Sequence, residues 1–67
     1  MTTETDLWQT AWIMAEQHGS DGPAFATRMA DSFKLGHKID AHQAWLSIAA
    51  KVAVLIETTA SRSAHRH

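Results

Sequence analysis

The first third of the chain has the apolar spacing of an amphipathic helix. Its apolar residues recur every three or four positions, which indicates a helix and not the alternation of a strand. Thr3 is a suitable N-cap, and Gly19 suits a left-handed residue just past a helix C-terminus. We therefore predict a first helix over residues 4–18. Its apolar positions are Leu7, Trp8, Ala11, Trp12, Met14 and Ala15.

The stretch HGSDGP joins this helix to the next one. Proline suits the first position of a helix because its missing N–H would be unpaired there. Gly22 before it suits an extended N-cap, and Asp21 is close enough to help cap the free amides. No Lys or Arg lies before Pro23, so we favour a structural corner over an anion-binding site. The predicted corner residues are His18, Gly19, Asp21, Gly22 and Pro23.

A second helix is predicted from Pro23 to near Leu35 and Gly36, and a third follows it. Asp40 and Gln43 have the spacing of a capping box, which predicts the start of the third helix. Its apolar pattern continues to about Thr59. The inward residues of the second helix are Phe25, Ala26, Met29, Ala30 and Phe33, and those of the third include Ala41, Trp45, Ile48, Val52 and Leu55.

These elements predict an all-α chain, folded as a small three-helix bundle with short Gly/Pro corners. We expect one domain over residues 1–60 and a flexible tail over the polar residues 61–67. A 67-residue chain has little surface to bury. We therefore expect at least two of its three tryptophans to fill the core beside the phenylalanines. The alternative is that one of them, Trp8 in first place, anchors a partner.

The third helix carries more apolar residues than two packing partners require. Leu46, Ala50 and Val54 are left over on its other side, and a helix that is apolar nearly all round is buried on several sides. These three residues and Trp8 form the predicted interface with a second copy or with another protein. The alternative is that they are ordinary scattered surface hydrophobes.

Composition argues against several kinds of chemistry. The chain has no cysteine, which removes disulfides, thiol nucleophiles and Cys-based metal sites. His37 and His42 are five residues apart, not at the i, i+4 spacing of helical metal ligands. Adventitious metal binding by His65 and His67 stays open. No nucleophile–base framework is present, so we expect no enzyme activity, no metal and no cofactor.

The charges divide the chain unevenly around a net charge of −1. Residues 1–27 carry four acidic groups and no Lys or Arg, whereas residues 28–67 carry six basic and three acidic groups. An acidic first helix is thus expected to face a basic remainder, within one chain or between two. A helix-turn-helix DNA binder is a further alternative, reading the groove with His42, Gln43, Ser47 and Lys51. The third helix lacks the cluster of Lys and Arg residues that binds nucleic-acid phosphates, which argues against nucleic acid as a partner.

No membrane segment is expected, since the run AWLSIAAKVAVLI is interrupted by Lys51 and is too short to span a bilayer. The start MTTETDLWQT lacks the pattern of a signal peptide, so we expect a cytoplasmic protein.

The motifs W-x-x-A-W, H-G-x-D-G-P-x-F and W-x-x-I-A together resemble a family of small bacterial helical proteins of unknown function. The resemblance implies a helical fold and no established activity. It also implies that His18 and Asp21 matter to the corner, with His18 donating to Asp21 or to a nearby carbonyl. His37 and Lys38 depart from the acidic residue that the family has after the second glycine. The matching residues are Asp6, Leu7, Trp8, Ala11, Trp12, His18, Gly19, Asp21, Gly22, Pro23, Phe25, Arg28, Trp45, Ile48, Ala49, Val52 and Leu55.

The function expected from the sequence is protein binding without catalysis. The first hypothesis is a self-associating module that forms a homodimer through the third helix. The second is a small accessory or inhibitory protein that docks on a larger bacterial or phage-derived complex.

Overall fold

The computed structural model describes the backbone of residues 3–64 and the side chains of residues 3–58. These residues form α1 (Glu4–His18), a 3₁₀ turn (Gly19–Asp21), α2 (Gly22–Leu35) and α3 (Ile39–Ala64). No strand occurs among the described residues. The prediction of an all-helical chain is confirmed, and so are the bounds of α1 and its N-cap, Thr3.

The helices are arranged as a bent arm lying on a long helix. α1 runs through the 3₁₀ turn directly into α2, and both pack along α3, while α1 and α2 meet each other mainly at the bend. The described part of the chain therefore has two layers. It does not support a three-helix bundle in which each helix packs on both others, because α1 does not fold back along α2.

α2 and α3 form a closely packed antiparallel hairpin. Gly22, Ala26 and Ala30 are buried on successive turns of α2, and a Cβ added to Gly22 would lie 2.6 Å from Val52 Cγ1. Further along, His42 Nδ1 donates a hydrogen bond to the Ala30 carbonyl at 2.8 Å. Small residues on α2 thus let the two helix axes approach closely.

The core consists of aliphatic side chains and not of indole rings. Ala11, Ala26, Ile48 and Val52 are buried together, and Trp45 packs against their edge. Trp8 and Trp12 are exposed, so the prediction that at least two tryptophans fill the core is wrong. The residue of α1 that lies in the core is Ala11, and the indoles of Trp8 and Trp12 lie outside it.

The corner between α1 and α2 differs in detail from its prediction. Gly19 has the positive φ expected of it, 57°, and Pro23 lies in the first turn of α2. Gly22, however, is helical (φ −54°, ψ −50°) and not extended. A residue before proline is driven out of the helical region partly by its own Cβ, which glycine lacks.

The two polar residues of this corner also act differently from their predicted roles. Asp21 stands at the N-cap position of α2 but makes no side-chain capping bond. The His18 ring stacks on Phe25 with the ring centroids 4.2 Å apart. Packing between rings, and not a hydrogen bond to Asp21, therefore holds His18 in place.

The turn between α2 and α3 is a Schellman motif. Lys38 N–H donates to the Phe33 carbonyl at 2.8 Å, and His37 N–H donates to the Lys34 carbonyl at 3.0 Å. The position that usually holds glycine is occupied by His37, with φ 62°, whereas Gly36 has a φ of −85° that any residue adopts. The chain therefore has its glycine one residue before the left-handed position.

Both predicted ends of α3 need correction. The helix begins at Ile39, so Asp40 lies inside the first turn, and no hydrogen bond pairs it with Gln43 in a capping box. At the other end the backbone stays helical to Ala64, past the predicted end near Thr59, because residues 59–64 contain no glycine or proline. The predicted flexible tail is thus helical over residues 61–64, and residues 65–67 lie outside the described residues.

Candidate interaction surface

One face of α3 is apolar and lies outside the contact with α1 and α2. Ile48 and Val52 are buried on the inner side. On the opposite side Leu46 is 44% exposed and Val54 is 50% exposed. We call this surface the outer stripe; it comprises Ile39, Leu46, Ala50, Ala53 and Val54, all of them exposed.

A second apolar surface lies along α1. A shallow cleft of about 470 Å³ is lined by Thr5, Trp8, Gln9, Trp12 and Ile13. These residues are spaced as neighbours on one helix face. We call this surface the tryptophan cleft. Trp12 is 55% exposed. It also lines a second, smaller depression together with Leu55 of α3.

Lys51 lies where the two surfaces adjoin. Its Nζ is 5.3 Å from the centroid of the Trp8 ring, donates to Ser47 Oγ at 2.8 Å and pairs with Glu4 Oε1 at 3.1 Å. Val54 follows Lys51 by three residues and so occupies the neighbouring turn on the same side of α3. Lys51 thus connects Trp8 of the tryptophan cleft to the side of α3 that leads toward Val54.

The ion pair joins the acidic first part of the chain to its basic second part, as the charge distribution predicted. Its energetic contribution is small, because the Glu4 side chain is 72% exposed and pairs in such settings contribute about 0.2–1 kcal/mol. The pair helps to position the Lys51 stem beside Trp8, but it does not hold α1 on α3 by itself.

Each residue of the predicted interface has a defined place in this arrangement. Leu46, Ala50 and Val54 share the outer stripe, and Trp8 lies in the tryptophan cleft next to it. Sequence reasoning missed Trp12 and Ile13, which were assigned no interface role. It also missed Ile39 and Ala53. Ile39 lies seven residues before Leu46, and Ala53 lies seven residues after it. This heptad spacing is the signal that links Ile39 and Ala53 to the stripe.

The side chains proposed to read DNA are mostly engaged within the fold. His42 bonds to the Ala30 carbonyl, and Ser47 accepts from Lys51. α2 and α3 lie antiparallel side by side, whereas the helices of a helix-turn-helix unit meet at about 90–120°. The arrangement of α2 and α3 gives the DNA-binding hypothesis no support.

Titratable residues do not assemble into a metal site in the part of the chain that the structure describes. No group of three His, Asp or Glu side chains there could hold an ion. The tail histidines His65 and His67 lie outside the described residues.

By length and composition alone, one segment of α3 could cross a membrane. It covers Ile39–Thr58, with a mean hydropathy of 1.3, and is longer than the run considered in the sequence analysis because the helix begins at Ile39. The core helix of a soluble protein meets the same criterion when it is mostly buried, but only 17% of this segment is buried, although α1 and α2 pack on one side of it. A cytoplasmic location therefore stays a prediction.

Compared with known proteins, the chain matches no family model, and no curated protein or solved structure is significantly similar to it. The resemblance to small bacterial helical proteins stays a prediction.

Proposed function

We propose that the chain is a non-enzymatic interaction module that associates with a second copy of itself through the outer stripe of α3. The observation that carries this proposal is the helix with two apolar faces. The inner face packs on α1 and α2, and the outer face carries Leu46 and Val54 half-exposed to water. Leu46, Ala50, Ala53 and Val54 are exposed apolar residues on neighbouring positions of this face, and clustered exposed apolar residues are a feature of interaction sites.

The energetics of the stripe suit reversible association. Burying a whole Val, Leu or Ile side chain gains about 1.5–3 kcal/mol. Ile39, Leu46 and Val54 are about half-exposed, so each gains about 1 kcal/mol, and a symmetric pair of chains gains about 5–9 kcal/mol. Association costs about 4–15 kcal/mol in lost freedom. The gain is therefore an upper limit of the same size as the cost, so that the stripe alone gives at best a weak dimer, which further contacts by the tryptophan cleft would have to strengthen.

The two-layer arrangement of the helices is consistent with a partner. α1 and α2 cover only the inner side of α3. A second α3 on the outer stripe would add a third layer, so that two chains together would form the bundle expected of one chain.

The proposal is tested by measuring the solution mass by light scattering over a wide range of chain concentrations. The wild-type chain is expected to rise from monomer to dimer mass. The double variant Leu46→Gln/Val54→Gln is expected to stay monomeric while circular dichroism shows that its helices are retained. Leu35→Gln is the matched control, because Leu35 is 83% exposed at the end of α2; it should dimerise like the wild type. A wild-type monomer at every concentration would refute self-association.

The second candidate function, docking on a larger protein, is favoured by the tryptophan cleft. Trp is a frequent anchor at protein interfaces, and Trp12 and Ile13 present their side chains to solvent next to Trp8. On this hypothesis Trp12→Ala abolishes co-purification of a host protein with the tagged chain, whereas Leu46→Gln/Val54→Gln does not. Loss of the captured protein in the α3 variant alone would contradict it.

A further inference from the structure

The outer face of α3 has the spacing of a coiled-coil seam. Its residues follow one another at intervals of four and three positions, which is the 3.5-residue repeat of a heptad. The inner residues Ile48 and Val52 fall outside this repeat. The seam consists of Ile39, Gln43, Leu46, Ala50, Ala53 and Glu57, and all six are exposed.

We propose that two copies pair through this seam with their α3 helices antiparallel, so that Leu46 of one copy packs against Ala50 of the other. This inference rests on the proposed self-association and adds its geometry. In the same register Gln43 lies opposite Ala53, and Ile39 lies opposite Glu57. The two-fold axis then passes α3 at the level of Ile48.

Charge favours the antiparallel orientation over the parallel one. A parallel pair would place Glu57 beside Glu57 of the second copy at a seam position, where two like charges repel each other. The antiparallel pair places Glu57 at the first turn of the second α3, near Lys38 and the positive end of the helix dipole. Asp40 in that turn reduces this gain but does not recreate the contact between two seam carboxylates.

Side-chain size favours the same register. At the centre of the pair, the large Leu46 faces the small Ala50 in two symmetry-related layers, and large side chains against small ones interdigitate. Ala50 and Ala53 allow the helices to approach to the lower end of the usual 8–10 Å range. Because every contact occurs twice about a two-fold axis, the assembly closes as a dimer and leaves no free copy of the seam.

Cysteine cross-linking tests the orientation, and the chain has no cysteine of its own. Gln43→Cys and Ala53→Cys are made as separate variants, mixed in equal amounts and treated with a mild thiol oxidant. In the antiparallel pair only the mixture forms a disulfide-linked dimer, because each disulfide needs one copy of each variant. In a dimer of the Gln43→Cys variant alone, the two introduced thiols would lie about 15 Å apart along the axis, beyond disulfide reach.

The other outcomes are distinct. Cross-linking of each variant by itself would show a parallel pair and overturn the inference while leaving self-association intact. No cross-link in any sample, with the dimer mass retained, would also overturn it. No cross-link together with monomer mass would refute the proposed function as well. A mixture of Thr27→Cys, which is exposed on α2, with Ala53→Cys gives the background from random collision; a signal in the Gln43→Cys and Ala53→Cys mixture no larger than this background would count against the inference.

Discussion

The inner and outer faces of α3 carry similar aliphatic side chains but have different surroundings. Ile48 and Val52 are buried beneath α1 and α2. Leu46 precedes this pair by two residues and Val54 follows it by two, yet both are about half-exposed. The inner face thus holds one chain together, and the outer face is available to another chain. The pattern of apolar residues along a helix therefore indicates how many of its sides are to be shielded from water. It does not indicate which part of the same chain, or which other chain, shields each side.

The largest predicted effect comes from weakening the inner face. Ile48→Ala should lower the free energy of unfolding by about 2–5 kcal/mol, through lost burial and the cavity left behind. Urea unfolding followed by circular dichroism measures this. If the Ala variant does not fold, Ile48→Val gives a graded loss of about 0.5–1.5 kcal/mol.

The outer-face control is Leu46→Ala at a chain concentration low enough to keep the protein monomeric. Its effect there should stay within about 0.5 kcal/mol, the usual range for a surface change. Equal losses for Ile48→Ala and Leu46→Ala in the monomer would contradict the division between the two faces.

The next effect comes from forcing α2 away from the inner face. Gly22→Ala should lower the free energy of unfolding by about 1–3 kcal/mol through overpacking, since the new Cβ would lie 2.6 Å from Val52 Cγ1. In the Val52→Ala background the same change should lower stability by much less, because the clashing methyl is gone. Additive losses in this double-mutant cycle would argue against the close contact.

Gly36→Ala is the matched control for that change. The φ of Gly36 is −85°, and a Cβ there meets its nearest atoms at 3.7 Å. This substitution should therefore stabilise the chain by about 0.4–1 kcal/mol, the opposite sign to Gly22→Ala.

A change at His37 separates the stability of the chain from its association. His37→Gly should raise the free energy of unfolding by about 1 kcal/mol, because a non-glycine residue at φ 62° is strained by about that amount. The position touches neither face, so the dimer affinity should not change. His37→Ala, which keeps a Cβ at the left-handed position, should bring no comparable gain; a gain equal to that of glycine would show that strain at this residue is not the cause.

Features that depend on adjacent residues were predictable from the sequence. The bounds of α1 followed from Thr3 and Gly19, because capping is decided within one turn of a helix. The start of α3 was missed by two residues, because the spacing of Asp40 and Gln43 imitates a cap. The Schellman turn before it depends on the φ of His37. Capping and turn residues therefore predict the bounds of α1 and, to within two residues, the start of α3.

Features that depend on the distance between helices were not predictable. Gly22 was read as a turn residue, yet its contact is Val52 on α3, and no local pattern reveals that. In the same way, no local pattern reveals that Ala11 is the residue of α1 in the core, whereas Trp8 and Trp12 are exposed. The exposure of Leu46, Ala50 and Val54 could be predicted because α3 has too many apolar residues for one inner face. The tryptophan cleft could not, because it depends on which face of α1 packs on α3.

The most direct test of the central claim is urea unfolding of the wild-type chain at two concentrations that differ 100-fold, in the range where the dimer forms. If the inner face stabilises the chain and the outer face joins two chains, the apparent free energy of unfolding per dimer should rise by about 2.7 kcal/mol at the higher concentration. For Leu46→Gln/Val54→Gln the unfolding midpoint should not change with concentration. A wild-type midpoint that is equally independent of concentration would contradict the account.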